Sequence, residues 1–213
     1  MLGMQFTRVN EDGASFSLAD LPIDPVIWDG SSIQLAFTDS KGLVAFNTYT
    51  IYADDPNWND GPSGWYDGDS LYAGDTEFID IVTGYWFVPT KTGEITFKGE
   101  VSKESVEVPV IGGEWQMIAN PYPAKLMLED IPMDAETWDG TSIQLASTDS
   151  KGLVTFNTYT IYVDDPNWND GPSGWYDGDS LYAGDTVEIP VGDGFWLIPT
   201  ANGTITFDSP VAD

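Results

Sequence analysis

Apolar and polar residues alternate over many short stretches of this chain, and no stretch shows the 3.6-residue period of an amphipathic helix. Gly, Pro, Asn and Asp separate the stretches, as they do between the strands of antiparallel sheets. In the C-terminal half, strands are predicted over residues 105–111, 114–119, 142–148, 153–163, 187–191, 195–200 and 204–207, whereas residues 125–131 fit either a strand or a short helix. The pattern therefore predicts an all-β fold, an antiparallel β-sandwich of the jelly-roll or barrel-like kind.

One predicted strand, residues 43–53, carries apolar side chains on both faces. Tyr49 and Ile51 share one face, and Val44 and Phe46 share the other. A strand with one face in water would have a polar face. We therefore expect this strand to lie in the centre of a packed sandwich, or to meet a partner with one face.

The chain contains an internal repeat. Residues 28–76 return as residues 138–186, shifted by 110 positions, with only four differences in 49 positions. These differences are Ser31/Thr141, Phe37/Ser147, Ala45/Thr155 and Ala53/Val163. A repeat of this length is a whole small domain. The sequence thus predicts two tandem sandwich domains related by internal duplication: a first copy over residues 1–103 and a second copy over residues 104–213.

The two copies differ at their start. Val106 to Ile111 form a predicted strand ahead of the second copy, but their counterparts would fall at or before Met1. We expect the first copy's opening strand to be missing or altered. A sandwich without that strand exposes unpaired backbone N–H and C=O groups, which are a template for strand addition.

Composition narrows the classes of function. The sequence has 35 acidic and seven basic residues, a net charge of −28, which argues against nucleic acid as a partner. Cys and His are both absent, which removes disulfides, thiolate metal sites and the usual general base. No apolar run reaches the length of a membrane span, so membrane insertion is not expected.

The segment from Gly113 to Pro123, GEWQMIANPYP, is followed by Gly192-Asp-Gly-Phe-Trp-Leu197 and by a Thr-Ile-Thr-Phe strand. These motifs resemble a repeat of secreted bacterial surface proteins and adhesins. The resemblance implies an all-β module that is extracellular or on the cell surface, and it implies no catalytic residues. The first copy departs from this pattern, because residues 5–13 stand where residues 115–123 would be expected.

An acidic loop in each copy is a candidate calcium site, because Ca²⁺ takes six to eight oxygens from carboxylates, amides and carbonyls. Its start resembles a calcium loop, although the glycine comes one residue late and no Glu closes it. The alternative is a solvated loop in which Asp and Asn side chains form their own turns. The candidate ligands are Asp55, Asn57, Asn59, Asp60, Asp67 and Asp69, with Asp165, Asn167, Asn169, Asp170, Asp177 and Asp179 in the second copy.

The same loops are rich in aromatic residues, which are typical of sugar platforms and of protein interfaces. The candidates are Trp58, Trp65 and Tyr66, with Trp168, Trp175 and Tyr176 in the second copy. Alternatively, these rings fix the long loop onto the sandwich, since large aromatic side chains are mostly buried. Exposure of Trp58 and Trp65 distinguishes these alternatives.

We do not expect an enzyme, because Asp67 and Asp69 lie two residues apart on a turn and a glycosidase needs carboxylates on both sides of the scissile bond. We expect an extracellular structural or adhesive protein that assembles head to tail with copies of itself into a filament or surface layer. The alternative is a calcium-dependent carbohydrate-binding module with a glycan as partner.

Overall fold

The computed structural model describes residues 2–3, 16–54, 61–79, 83–96, 103–151, 153–164 and 171–210. In the first copy, the elements are β1 (Leu2–Gly3), β2 (Phe16–Ser17), α1 (Pro25–Trp28), β3 (Ser32–Thr38), β4 (Val44–Tyr52), β5 (Gly64–Tyr66), β6 (Phe78–Ile79) and β7 (Gly84–Val88). In the second copy, they are β8 (Val106–Val110), β9 (Gln116–Ala119), β10 (Leu126–Met127), α2 (Ala135–Trp138), β11 (Ser142–Thr148), β12 (Val154–Tyr162), β13 (Gly174–Tyr176), β14 (Glu188–Ile189), β15 (Gly194–Ile198) and β16 (Gly203–Phe207). The predicted all-β sandwich fold is confirmed.

The helical elements are single turns. Residues 18–20 and 128–130 form short 3-10 helices, and α1 and α2 have four residues each. Asp24 caps α1 by accepting a hydrogen bond from the Val26 N–H at 2.8 Å, and Pro25 occupies the first helical position, where no N–H is needed. α1 and α2 each end in a tryptophan, Trp28 and Trp138 respectively, that is buried in the core. These turns therefore serve to place an indole ring.

Each copy contains a five-stranded antiparallel sheet. The order is β1-β7-β3-β4-β5 in the first copy and β9-β15-β11-β12-β13 in the second. Four of the strands in each sheet are sequence counterparts, but the edge strands β1 and β9 are not, since Gly84 pairs with Gly3 whereas Gly194 pairs with Ala119. The long hairpins have equivalent registers, with Ser32 opposite Thr50 and Ser142 opposite Thr160. Two-residue strands form a second small pair in each copy, β2 with β6 and β10 with β14.

Alternate side chains of these strands build the cores, as the period of two requires. Ile33 on β3 and Tyr49 and Ile51 on β4 are buried in the first copy. Ile143 and Ile161 take the same places in the second copy. The predicted two-faced strand thus gives one face to its own core.

The second copy has an additional two-stranded sheet. β8 pairs antiparallel with β16, with Val108 opposite Ile205 and Val106 opposite Phe207. Segment 93–96 of the first copy corresponds to β16 in sequence, but the structure assigns it no strand. β8 therefore completes the second copy, in which it pairs with the closing strand.

Candidate functional site

Most of the predicted calcium ligands lie outside the described residues. This applies to Asp55, Asn57, Asn59 and Asp60 and to their counterparts Asp165, Asn167, Asn169 and Asp170. The described residues that flank the loops close their bases in both copies: the Asp54 N–H donates to Ser63 Oγ at 2.8 Å, and the Asp164 N–H donates to Ser173 Oγ at 2.9 Å. The calcium prediction stays a prediction for these positions.

Asp67 and Asp177 are turn-forming residues in the structure. Asp67 Oδ1 accepts hydrogen bonds from the backbone N–H groups of Asp69 and Leu71, both at 2.9 Å, and Asp177 makes the equivalent bonds. This is the bonding of an Asp side chain to its own turn. Across the described ranges, no three or more His, Cys, Asp or Glu side chains form a group that could hold a metal ion.

The charges beside this turn affect a neighbouring phenol. Burial, followed by a hydrogen bond to Glu77 and the charges of Glu77 and Asp67, raises the pKa of Tyr49 far above its usual range. Tyr49 is therefore a neutral phenol at neutral pH.

The aromatic candidates that the structure describes lie in the interior. Trp65 and Trp175 are each 2% exposed, and Tyr66 and Tyr176 are buried as well. The Tyr66 hydroxyl donates to the Pro62 carbonyl at 2.6 Å, which ties the end of the acidic loop to β5. These four rings fix the loop and do not form a platform for a ligand. Trp58 and Trp168 lie outside the described residues.

A groove beside the closing segment is a different feature of the first copy. Residues 93–96, which we call the open edge, pair with no strand among the residues that the structure describes. A cavity of about 610 Å³, which we call the acceptor groove, lies beside them and is lined by Trp28, Phe87, Gly93 and Ile95, among others. Trp28 packs edge-on against Phe87, with ring centroids 5.6 Å apart. The acceptor groove thus has an apolar, aromatic wall.

The wall of the acceptor groove has a close counterpart in the second copy. A Cβ on Gly93 would lie 2.6 Å from Cη2 of Trp28, and a Cβ on Gly203 would lie 2.7 Å from Cη2 of Trp138. Both glycines are therefore required by the indole that lies against the backbone. The closing segment sits on its tryptophan in the same way whether or not a neighbouring strand is present.

In the second copy the equivalent space is filled by β8. Val108 and Val110 are 4% and 3% exposed, and they pack in one core with Ile205 and Phe207. The Tyr122 hydroxyl shares its one proton between the carbonyls of Glu104, at 2.8 Å, and Phe207, at 3.1 Å, so it lies between the ends of the two strands.

Pro109 determines which opposite residues of β8 and β16 are hydrogen-bonded to each other. Proline has no N–H, so Pro109 and Thr204 form a non-hydrogen-bonded pair, and Val108 with Ile205 forms the adjacent hydrogen-bonded pair. The outward Pro109 carbonyl accepts from Gln116 Nε2 at 3.1 Å. The outer edge of β8 therefore carries a proline and a side-chain amide, which hinder the addition of a further strand.

The outer sheet faces of the two copies meet through aromatic rings. Phe46 on β4 contacts Trp196 on β15, and Trp86 on β7 contacts Phe156 on β12, each pair with centroids 6.1 Å apart. Phe46 and Phe156 are sequence counterparts, as are Trp86 and Trp196. Such reciprocal contacts are the signature of a twofold, isologous interface. A bridge between Thr83 and Ile118 adds a backbone contact between the copies.

Sequence reasoning missed the acceptor groove and the identity of the partner of β4. Two signals were available. Gly93 and Gly203 occupy the same repeat position shortly after the tryptophan-containing strands β7 and β15, and the face of β4 that carries Phe46 has apolar residues that do not belong to the core. For this strand the sequence left two alternatives, a central place in the sandwich or a face that meets a partner, and in the structure Phe46 on that face contacts Trp196 of the other copy.

Comparison with protein-family models, with curated protein sequences and with solved structures gives no match to this chain. No helix in the described part of the chain is long and apolar enough to cross a membrane.

Proposed function

We propose that this chain is a non-enzymatic structural subunit of the extracellular space or cell surface, and that subunits join head to tail at the open edge of the first copy. One observation carries the proposal: β16 is paired and covered by β8, whereas the equivalent residues 93–96 have no paired strand among the described residues. A closing segment with no paired strand in the described part of the chain, lying beside an apolar groove, offers a template for strand addition by another molecule.

The proposed contact joins unlike ends. The second copy is closed by β8 at the equivalent edge, so the first and the second copy offer different surfaces to a neighbouring subunit. A contact between unlike surfaces is heterologous and propagates into a filament when its rotation does not close a ring. The outer sheet faces are already occupied by the contact between the two copies within the chain. Assembly through sheet edges is therefore compatible with the folded subunit.

Charge favours salt-dependent assembly. A net charge of −28 makes subunits repel one another. At physiological ionic strength, charges are screened over about 8 Å, and the screening length shortens as salt increases. Subunits are expected to associate more strongly at high salt and with divalent cations.

Light scattering across a sodium chloride and calcium chloride series, followed by electron microscopy, tests this function. We expect scattering to rise with salt and extended particles to appear. By analogy with Ile205, the Ile95 N–H points toward the added strand, so Ile95→Pro should abolish assembly. By analogy with Thr204, the Glu94 N–H points away from that strand, so Glu94→Pro should leave assembly intact. Monomers under every condition would contradict the proposal.

A glycan-binding role is the second candidate, and a cavity of the first copy favours it. The cavity has a volume of about 460 Å³, and its lining includes Phe46, Asn47 and Asp69. Phe46 is 42% exposed despite its contact with Trp196. An aromatic ring beside amide and carboxylate oxygens can hold a sugar ring. Titration calorimetry with oligosaccharides tests this role, and Phe46→Ala should remove any binding that occurs there.

A further inference from the structure

The second copy shows what kind of segment fits the acceptor groove. β8 alternates buried and exposed residues: Val108 and Val110 enter the core, while Glu107 and Pro109 face solvent. Its apolar residues lie opposite Gly203, Ile205 and Phe207 in register. The occupant is thus an extended strand with valine-sized side chains at every second position.

The first copy offers an equivalent binding position for a strand. Gly93 lies on Trp28 as Gly203 lies on Trp138, and Ile95 takes the place of Ile205. Ile95 is only partly buried, whereas Ile205 is fully buried beneath β8. The difference in burial at these two matched positions is the apolar surface that an added strand would cover.

The charge at the rim of the acceptor groove selects among possible strands. Lys91 lines the groove, and its Nζ lies 5.9 Å from the centroid of the Trp28 ring. It is one of only seven basic residues in the chain. In the second copy the segment at the equivalent position, residues 104–110, is acidic, since it carries Glu104 and Glu107. Glu94 of the open edge is acidic, so an acidic segment is attracted where its carboxylates lie near Lys91 and away from Glu94.

We propose that the acceptor groove binds an extended acidic strand with the alternating pattern of β8, supplied by a neighbouring protein molecule. This inference rests on the proposed strand-addition function and names the element that is added. The strand runs antiparallel to residues 93–96 and places an apolar residue opposite Ile95, as Val108 lies opposite Ile205. The β8 strand of the same chain does not occupy the acceptor groove, because it pairs with β16.

A synthetic peptide with the sequence of residues 104–112 is the probe, and titration calorimetry with the full chain is the measurement. We expect saturable binding of one peptide per chain. A peptide carrying Val108→Asp should bind at least about tenfold more weakly, because it places a carboxylate against the apolar wall.

Variants of the full chain locate the binding site. Ile95→Glu should abolish peptide binding. Lys91→Glu, at an exposed position outside the core, should weaken it most at low salt, because the new carboxylate repels the acidic peptide and salt screens that repulsion. Thr204→Glu is the matched control, because it places on β16 the residue that the first copy has at Glu94, and it should leave binding unchanged. Equal binding by wild type, Ile95→Glu and Lys91→Glu would overturn the proposal.

The inference and the proposed function can fail separately. If the peptide binds and blocks assembly, the inference is supported. If the peptide binds to chains that stay monomeric at every salt concentration, the inference is supported and head-to-tail self-assembly is wrong. If subunits assemble but the peptide neither binds nor competes, the inference is overturned and the proposed function stands.

Discussion

Phe46 of the first copy meets Trp196 of the second edge to face, with ring centroids 6.1 Å apart and planes inclined at 82°. The counterparts of these two residues, Phe156 and Trp86, make the same contact at 6.1 Å and 89°. Because each copy gives the same two residues to the other, the copies face one another as the halves of a symmetric dimer do. The contact is not fully symmetric, since Trp115 packs against Trp196 at 5.9 Å.

These aromatic contacts predict measurable coupling between the copies. Phe46→Ala and Trp196→Ala should each destabilise the chain, and the double variant should lose less than the sum by about 0.5–1.5 kcal/mol. The Phe156 and Trp86 pair should give coupling of the same sign. Chemical denaturation of the four proteins in each cycle provides the free energies of unfolding. Strict additivity in both cycles would mean that the rings do not interact in solution.

Tyr85 predicts a stabilising substitution. Its side chain is fully buried, and its hydroxyl has no hydrogen-bond partner among the described residues. Burial raises its pKa far above the usual range, so the phenol stays neutral. The second copy has Phe195 at the matched position.

Tyr85→Phe should raise the free energy of unfolding by about 1 kcal/mol, because an unpaired buried hydroxyl costs roughly 1–3 kcal/mol. The reverse change, Phe195→Tyr, should lower it. Scanning calorimetry of both variants is the measurement. A less stable Tyr85→Phe protein would show that the hydroxyl is bonded.

Asp193 predicts a pH dependence. Partial burial raises the pKa of its carboxyl above the usual value. A group that binds its proton more tightly in the folded state adds stability below its unfolded pKa, and this contribution is lost as pH rises through the folded pKa. The charged form at neutral pH is therefore destabilising.

Asp193→Thr installs the residue that the first copy has at Thr83. The variant should unfold at a higher temperature than wild type at pH 7, and the difference should shrink as the pH falls below the unfolded carboxyl pKa of about 4. Thermal melts across the acidic range provide the test. A difference that stayed constant with pH would assign the effect to packing rather than to ionisation.

Asp67 predicts a structural role that does not depend on metal. Asp67→Ala removes the acceptor of two backbone hydrogen bonds and should cost about 1–2 kcal/mol of unfolding free energy. Asp67→Asn retains an acceptor oxygen and should cost less. Both losses should be equal in calcium and in chelator. A loss that appears only with calcium present would instead identify Asp67 as a ligand of the ion.

The strands and the core were predictable because their chemistry is local. Alternation along residues 142–148 and 153–163 predicted β11 and β12, which the structure places at Ser142–Thr148 and Val154–Tyr162. Residues 125–131, left open between strand and helix, form both the two-residue β10 and a 3-10 turn. A segment this short has too few residues for its period to decide.

The open edge and the acceptor groove were only partly predictable. The repeat predicted an altered first copy, because residues 5–13 depart from the pattern of residues 115–123. The place of β8 could not be derived, since pairing with β16 depends on contacts between residues 93 or more positions apart. For Trp65 the sequence left two alternatives, since large aromatic side chains are mostly buried but the loop around this one is rich in Asp and Gly. The structure shows that the ring is buried.

The most direct test of strand addition at the first copy is amide hydrogen exchange at two matched residues, Ile95 and Ile205. In the second copy Val108 and Ile205 form a hydrogen-bonded pair, in which the Ile205 N–H points to the Val108 carbonyl. This amide should therefore be protected from exchange at every salt concentration. The Ile95 amide should exchange rapidly in the low-salt monomer and become protected once subunits assemble. Protection of Ile95 equal to that of Ile205 in the monomer, or rapid exchange of Ile95 in the assembled state, would contradict strand addition at this edge.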